Sequence, residues 1–162
     1  MTLDRVPLQR RDGTVIAHAL VEASDYARVA KHVWRRSSDG YAVRSETSNG
    51  TKRTVYLHRV VAGTPPGWVT DHINGDRLDN RRANLRTATP AQNAANSRDR
   101  PRRSGLRGVY WHGQARRWVS QISVNGRLRH LGLFDDPEDA ARAYDVAARD
   151  AWGPYARTNG LA

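Results

Sequence analysis

Apolar positions come in short runs, separated by polar stretches rich in turn residues. Val15-Ile-Ala-His-Ala-Leu-Val21 is almost continuously apolar and predicts a strand. Ser24 or Asp25 can then cap a short helix with Tyr26, Val29, Ala30 and Val33 on one face. Asn49-Gly50 separates Tyr41–Ser48 from Thr51–His58, and an Asn-Gly pair between two such runs is the strongest short-range hairpin signal. Arg59-Val-Val-Ala62 predicts one helical turn, followed by the loop Gly63–Gly67. Trp68–His72 reads as a strand, 73–83 as polar and turn-rich, and Asn84–Ala88 as the returning strand. Thr89-Pro90 places an N-cap residue before Pro at the first helical position, so a helix to about Ser97 should follow.

Farther on, Trp118, Ser120, Ile122 and Val124 share one strand face, and Val119, Gln121 and Ser123 share the other. Asn125-Gly126 turns this strand into Arg127–Phe134, and a third strand around Gly108–Trp111 precedes both. Pro137 opens a helix behind Asp136 as cap, with Ala140, Ala141, Tyr144, Ala147, Ala148 and Ala151 along one side. An alanine face lets a helix lie close on a sheet.

Composition adds a partner. The 162 residues suit one mid-sized or two small units, contain no cysteine, and carry a net charge of +11. Disulfides and Cys-ligated zinc are thereby excluded. No run approaches a membrane span, and the first residues lack the apolar core of a signal peptide, so a soluble intracellular protein is expected. Of the 27 basic residues 25 are arginine, which GC-rich codon usage also explains. Codon usage does not explain the excess over 16 acids, which points to nucleic acid. Residues 105–134 hold five arginines and no acid, whereas 135–162 hold six acids. A basic sheet on DNA, backed by an acidic helix facing water, would have this pattern. Ser97–Ser104 contains four arginines, one proline and nothing apolar, and reads as a linker that tracks the DNA backbone.

The candidate chemistry centres on Asp71 and His72. A carboxylate is a hard ligand for magnesium, and a neutral imidazole takes a proton from water near pH 7. Together they can assemble metal-assisted phosphodiester hydrolysis, provided the strand ends or bulges so that both enter one site. Asn93 would bring a second oxygen ligand from the helix, and Asn84 would brace the loop. For His58 the simpler reading is a half-buried strand residue.

Leu57-His-Arg59, Asp71-His-Ile-Asn-Gly-Asp76, Asp79-Asn80, Asn84-Leu-Arg86 and Gln92-Asn93 together resemble the HNH endonuclease family in its homing branch. The resemblance implies a ββα-metal unit in which Asp71 and Asn93 bind a divalent metal, expected to be magnesium or manganese and not zinc. It implies His72 as general base and Asn84 as the asparagine that holds the loop and orients His72. Residues 105–162 resemble the plant ethylene-response-factor (APETALA-type) DNA-binding domain. The matching residues are Leu106-Arg-Gly-Val109, Arg117-Trp118, Gln121-Ile122, Leu131-Gly-Leu-Phe134, Ala140-Ala-Arg-Ala-Tyr-Asp145 and Thr158-Asn159. That resemblance implies DNA contacts from Arg107, Tyr110 and Gln121, to which charge and location add Arg116, Arg127 and Arg129. Strict alternation would turn Arg129 toward the helix unless a bulge intervenes.

The expected fold is α+β. A β-rich lead-in (1–54) precedes the HNH unit (55–98), a basic linker (99–104) and a three-stranded antiparallel sheet packed on one helix (105–162). The expected activity is a sequence-directed DNA endonuclease that nicks duplex DNA as a monomer. Neither a membrane nor a small-molecule cofactor is expected. Fusions of this kind are typical of phages and mobile introns, which places it in the bacterial cytoplasm. A DNA-binding regulator with an inactive HNH unit is the alternative.

Overall fold

The computed structural model describes residues 3–97 and 104–161. Most of the basic connector 99–104 therefore lies outside the described residues. The chain divides into two compact units, Met1–Pro90 and Ala91–Ala162, both mixing helices with small antiparallel sheets.

In the first unit, β1 (Leu3–Gln9) and β2 (Val15–Glu22) form an antiparallel hairpin, with Val6 opposite Ala19 and Leu8 opposite Ala17. α1 (Ala23–Val29) follows, then a three-stranded sheet in the order β3 (Arg35–Arg36), β4 (Ala42–Ser48), β5 (Thr51–Tyr56). α2 (Leu57–Ala62) leads into the antiparallel pair β6 (Val69–His72) and β7 (Leu85–Ala88). One core holds these pieces together: Val6, Leu8, Ala19, Val21, Val29, Trp34, Ala42, Leu57 and Val61 are all buried. Trp34 is its largest member, and its indole N–H donates to the Val29 carbonyl at 2.8 Å, so the buried ring leaves no polar atom unmatched. The lead-in strands thus share a core with α2 and do not form a body of their own. They also hold the loop after β6, because Leu20 N donates to Leu78 O and Asn80 N to Leu20 O, each at 2.8 Å.

Several local expectations change. α1 begins at Ala23 behind Glu22, without a side-chain cap, and Val33 lies beyond it and exposed. Asp25 does not cap the helix. It is buried, and Arg82 and Arg28 bind its carboxylate. His58 lies on α2, not on a strand, because Leu57 and Val61 are one helical turn apart and both enter the core. Only Trp34 of the five tryptophans is fully buried.

The second unit contains nearly all of α3 (Pro90–Asn96), the sheet β8 (Val109–His112), β9 (Arg117–Val124), β10 (Arg127–Phe134), and α4 (Pro137–Trp152). β9 is central. Asp136 caps α4 by accepting from Glu138 N at 2.6 Å and Asp139 N at 3.3 Å. Ala140, Ala141, Tyr144 and Ala148 are buried, whereas Ala151 is exposed. Gly108 has φ +74°, and a Cβ there would overlap the Tyr144 ring. Asp145 departs from the expected water-facing acidic helix. It is fully buried and accepts from Asn159 N and Nδ2 at 2.8 Å and from Leu161 N at 3.3 Å.

Both hairpin tips follow from their Asn-Gly pairs. Asn49 and Gly50 have φ of 50° and 74°, and Asn125 and Gly126 have 52° and 75°. Two consecutive positive φ values match the right-handed twist of the strands they join.

Candidate active site

β6 is buried from Thr70 to His72 on both faces, with Asp71 and His72 only 4% and 5% exposed. Register places Asp71 opposite Arg86 and His72 opposite Leu85. The Arg86 guanidinium clasps Asp71 Oδ2 through Nε at 2.7 Å and Nη2 at 2.6 Å. The strand ends at His72, where Gly75 N donates to the His72 carbonyl at 2.8 Å and turns the chain.

The loop from Ile73 to Asn84 is held by its own amides. Asn84 Oδ1 accepts from Asn74 N at 3.0 Å, and its Nδ2 donates to Asn74 Oδ1 at 3.0 Å and Asp79 O at 2.8 Å. Asp79 accepts from Asn74 Nδ2 at 2.9 Å and from Arg81, whose guanidinium holds its carboxyl below the usual range. The amide beside His72 belongs to Asn80. It is fully buried, its Nδ2 donates to Leu78 O at 3.0 Å, and its Oδ1 lies 3.5 Å from His72 Nε2. The motif contains Asn80, but Asp-Asn pairs read as ordinary turns, so sequence alone does not place it beside His72. Arg86 is likewise visible in the sequence only as part of the motif.

Four rings pack together here, His72 among them. His58 meets it edge-on at 5.2 Å between centroids, and Tyr41 stands 5.9 Å away. Tyr41 and Tyr56 also enclose His58, at 5.0 and 5.3 Å. Burial, with the nearby His72 and Arg59, pushes His58 down to about 3. Its Nδ1 is buried with no hydrogen-bond partner. Burial also lowers His72, against the raising effects of Asn80 and of the charges on Asp71, Asp76 and Asp79. A neutral His72 at physiological pH is able to accept a proton.

Among the described residues, no group of three or more His, Asp or Glu is arranged to hold a metal. The donors that the motif offers are oxygens: the Asp71 carboxylate beside His72, and the amide of Asn93, fourth residue of α3. That chemistry suits a hard cation, which keeps several waters and takes few protein ligands.

In the second unit, Tyr110 pairs with Val119 and Gln121 with His130, on the sheet face away from α4. Arg129 lies opposite Ile122, a core residue packed with Tyr144, and Arg127 lies opposite Val124. The register shift falls between His130 and Gly132, beyond Arg129, so no bulge returns Arg129 to the Gln121 face. Both arginines are exposed on edge strand β10, on the α4 side by register. Arg116 is exposed in the β8–β9 turn with φ 49°. Arg107 is directed at the C-terminus of α3: Nη1 donates to Ala95 O at 2.9 Å, and Nη2 to Ser97 O.

An HNH endonuclease family model matches residues 55–95. "Uncharacterized HNH endonuclease L560" of Acanthamoeba polyphaga mimivirus is 26% identical, over 87% of this chain and 74% of its own length. "Protein 3.8" of Escherichia phage T7 is 31% identical, over 57% of this chain and 77% of its own. A solved structure of DNA binding and cleavage by the HNH homing endonuclease I-HmuI aligns at TM-score 0.35 and 25% identity, over 60% of this chain and 59% of that one. "Ethylene-responsive transcription factor ERF084" of Arabidopsis thaliana is 56% identical over 45 residues, 26% of this chain and 18% of its own. Among the described residues no helix is long and apolar enough to cross a membrane. The chain belongs to the family of phage T7 Protein 3.8 and carries within it an HNH endonuclease domain.

Proposed function

We propose that this chain is a sequence-directed DNA endonuclease that hydrolyses one phosphodiester at a time with a single divalent metal, acting as a monomer. The observation that carries the reading is a buried, neutral His72 next to Asp71 at the end of β6, inside the matched segment 55–95. In this reading Asp71 and Asn93 would hold magnesium or manganese, which would neutralise charge developing on the phosphate and the leaving oxygen. His72 takes the proton from the attacking water. Asn84 braces the 73–84 loop through Asn74 and Asp79, and Asn80 seats the imidazole. Tyr41 and His58 limit how far the ring can rotate.

The second unit would act as an ethylene-response-factor-like reader of duplex DNA, an assignment supported by the short plant match. Tyr110 and Gln121 suit the outer face, where Gln121 can pair with adenine. Arg116, Arg127 and Arg129 would meet phosphates from the turn and the sheet edge. Arg107 would reach DNA only by leaving the Ala95 and Ser97 carbonyls. The relative from an Escherichia phage supports the reading that the chain works inside an infected bacterial cell.

Purified protein incubated with supercoiled plasmid and magnesium should produce nicked circles, and His72→Ala should abolish them with duplex affinity within a few-fold of wild type. Absence of nicking under every divalent metal tried would leave the DNA-binding regulator.

A further inference from the structure

Apart from Asp71 and His72, the first unit has a second concentration of polar chemistry. His32, Val33, Arg35, Arg44, Ser45 and Lys52 line a cleft of about 350 Å³. β3 pairs only with Ala42 and Val43, so from Arg44 onward the β4 edge on that side has no partner strand among the described residues, and the cleft opens beside it. The lining contains three cations, an imidazole and a hydroxyl, with no carboxylate.

Many arginines of this unit are already neutralised. Arg28 and Arg82 share Asp25, Arg81 holds Asp79, Arg86 holds Asp71, and Arg53 holds Glu46. Among the described residues Arg35 and Lys52 have no acidic partner, and both are exposed. Arg44 shares Glu46 with Arg53, and its Nε is buried without an acceptor. The groups that an anion entering this cationic cleft would meet are the exposed Arg35 and Lys52, beside Arg44.

The cleft is also stiff on one side. The Arg44 guanidinium lies 5.8 Å from the Trp34 ring, and His32 meets the same ring edge-on at 6.4 Å. Trp34 is fully buried, and its N–H is bound to Val29 O, so the platform cannot shift easily. A fixed arginine fork flanked by a flexible lysine suits the tetrahedral oxygens of a phosphate.

We propose that this cleft grips a backbone phosphate of duplex DNA away from the scissile bond, an inference that rests on the DNA-endonuclease reading. It gives the cutting unit its own hold on DNA, independent of the second unit.

The test uses the full chain without divalent metal and a short duplex, with affinity measured across salt concentration. Arg35→Gln combined with Lys52→Gln should lower the slope of log affinity against log salt by about 0.9, the value for one phosphate no longer neutralised. Arg10→Gln with Arg11→Gln, an equally exposed pair in the β1–β2 turn, is the control and should leave the slope unchanged. An unchanged slope in the cleft variant, or an equal fall in the control, overturns the proposal. If inorganic phosphate alone raises the wild-type melting temperature but not the variant's, while the slopes agree, the site is for free phosphate and the proposal fails. Self-association of the variant with an intact slope would show that the charges only guard the β4 edge, and also sinks it. The endonuclease reading fails separately: if wild type never nicks plasmid yet the slopes differ as expected, the cleft stands and the nuclease assignment does not.

Discussion

Asn80 is the most informative position at which to perturb the site without removing the proposed base. Its Oδ1 lies 3.5 Å from His72 Nε2, and it is fully buried. Asn80→Asp keeps the shape but places a negative charge against the imidazole. A hydrogen bond to a charged group contributes about 1.5–3 kcal/mol, against about 1 for a neutral one. The added stabilisation of protonated His72, about 0.5–2 kcal/mol, should therefore cut cleavage by roughly 2- to 30-fold on the acid side, and move the acid limb of the pH–rate profile to higher pH. Asn80→Ala should do the reverse. Asn80 raises His72 in the native site, so removing it lets burial depress the imidazole further, and the acid limb moves to lower pH. Both variants cost stability, on the order of 1–3 kcal/mol for the lost bond to Leu78 O, although that carbonyl still accepts from Leu20 N. The assay is single-turnover nicking across pH, on variants shown by denaturation to be folded. If the two limbs move in the same direction, or neither moves, Asn80 does not act through His72.

Arg86→Met should strip Asp71 of its cation and lower stability by about 3 kcal/mol, the scale for a broken buried pair. Magnesium should restore part of this loss in the variant and less in wild type, as read by denaturation with and without the ion, if Asp71 is a ligand. Asp25 is held below the ordinary carboxylate range, chiefly by Arg82. Its stabilising contribution is therefore present above that range and is lost as pH falls through the depressed value, so Asp25→Asn should flatten the acid limb of stability against pH. Gly108→Ala should destabilise the second unit by a few kcal/mol, roughly 1–3 from overpacking against Tyr144 plus the cost of φ +74°, measured as a fall in its melting temperature.

Signals that are local in sequence were legible. The Asn-Gly tips, the Asp136-Pro137 cap and the β6, β7 and β9 runs depend on neighbouring residues, and the structure keeps them. What escaped depends on partners far along the chain. Asp25 looked like a cap because its partner Arg82 is 57 residues away. Arg59–Ala62 read as a single turn, and only the core that Leu57 shares with Leu8 and Trp34 starts the helix two residues earlier and takes His58 with it. Asn80 looked like a turn residue because Leu20, which draws it inside, lies on another hairpin. Counting acids along α4 treated Asp145 like Asp139, although Asn159 takes one inward and leaves the other at the surface. For Arg129 alternation was the correct guide, since the register shift follows it.

The placement of α3 bears on modular exchange. The HNH motif runs to residue 95, yet the boundary between compact units falls at Pro90. The carbonyls that end α3 are held by Arg107 and Arg157, both from the C-terminal unit. A swap made at the arginine-rich connector, the natural place to cut on sequence, would remove both arginines and with them their hold on the Ala95 and Asn96 carbonyls of the helix that bears Asn93. A retargeted chimera is better joined before Pro90, with α3 grafted together with its own Arg107 and Arg157. The same constraint applies to natural shuffling: a new reading module could be acquired only together with the short helix that completes the motif, or with arginines that hold it in the same way.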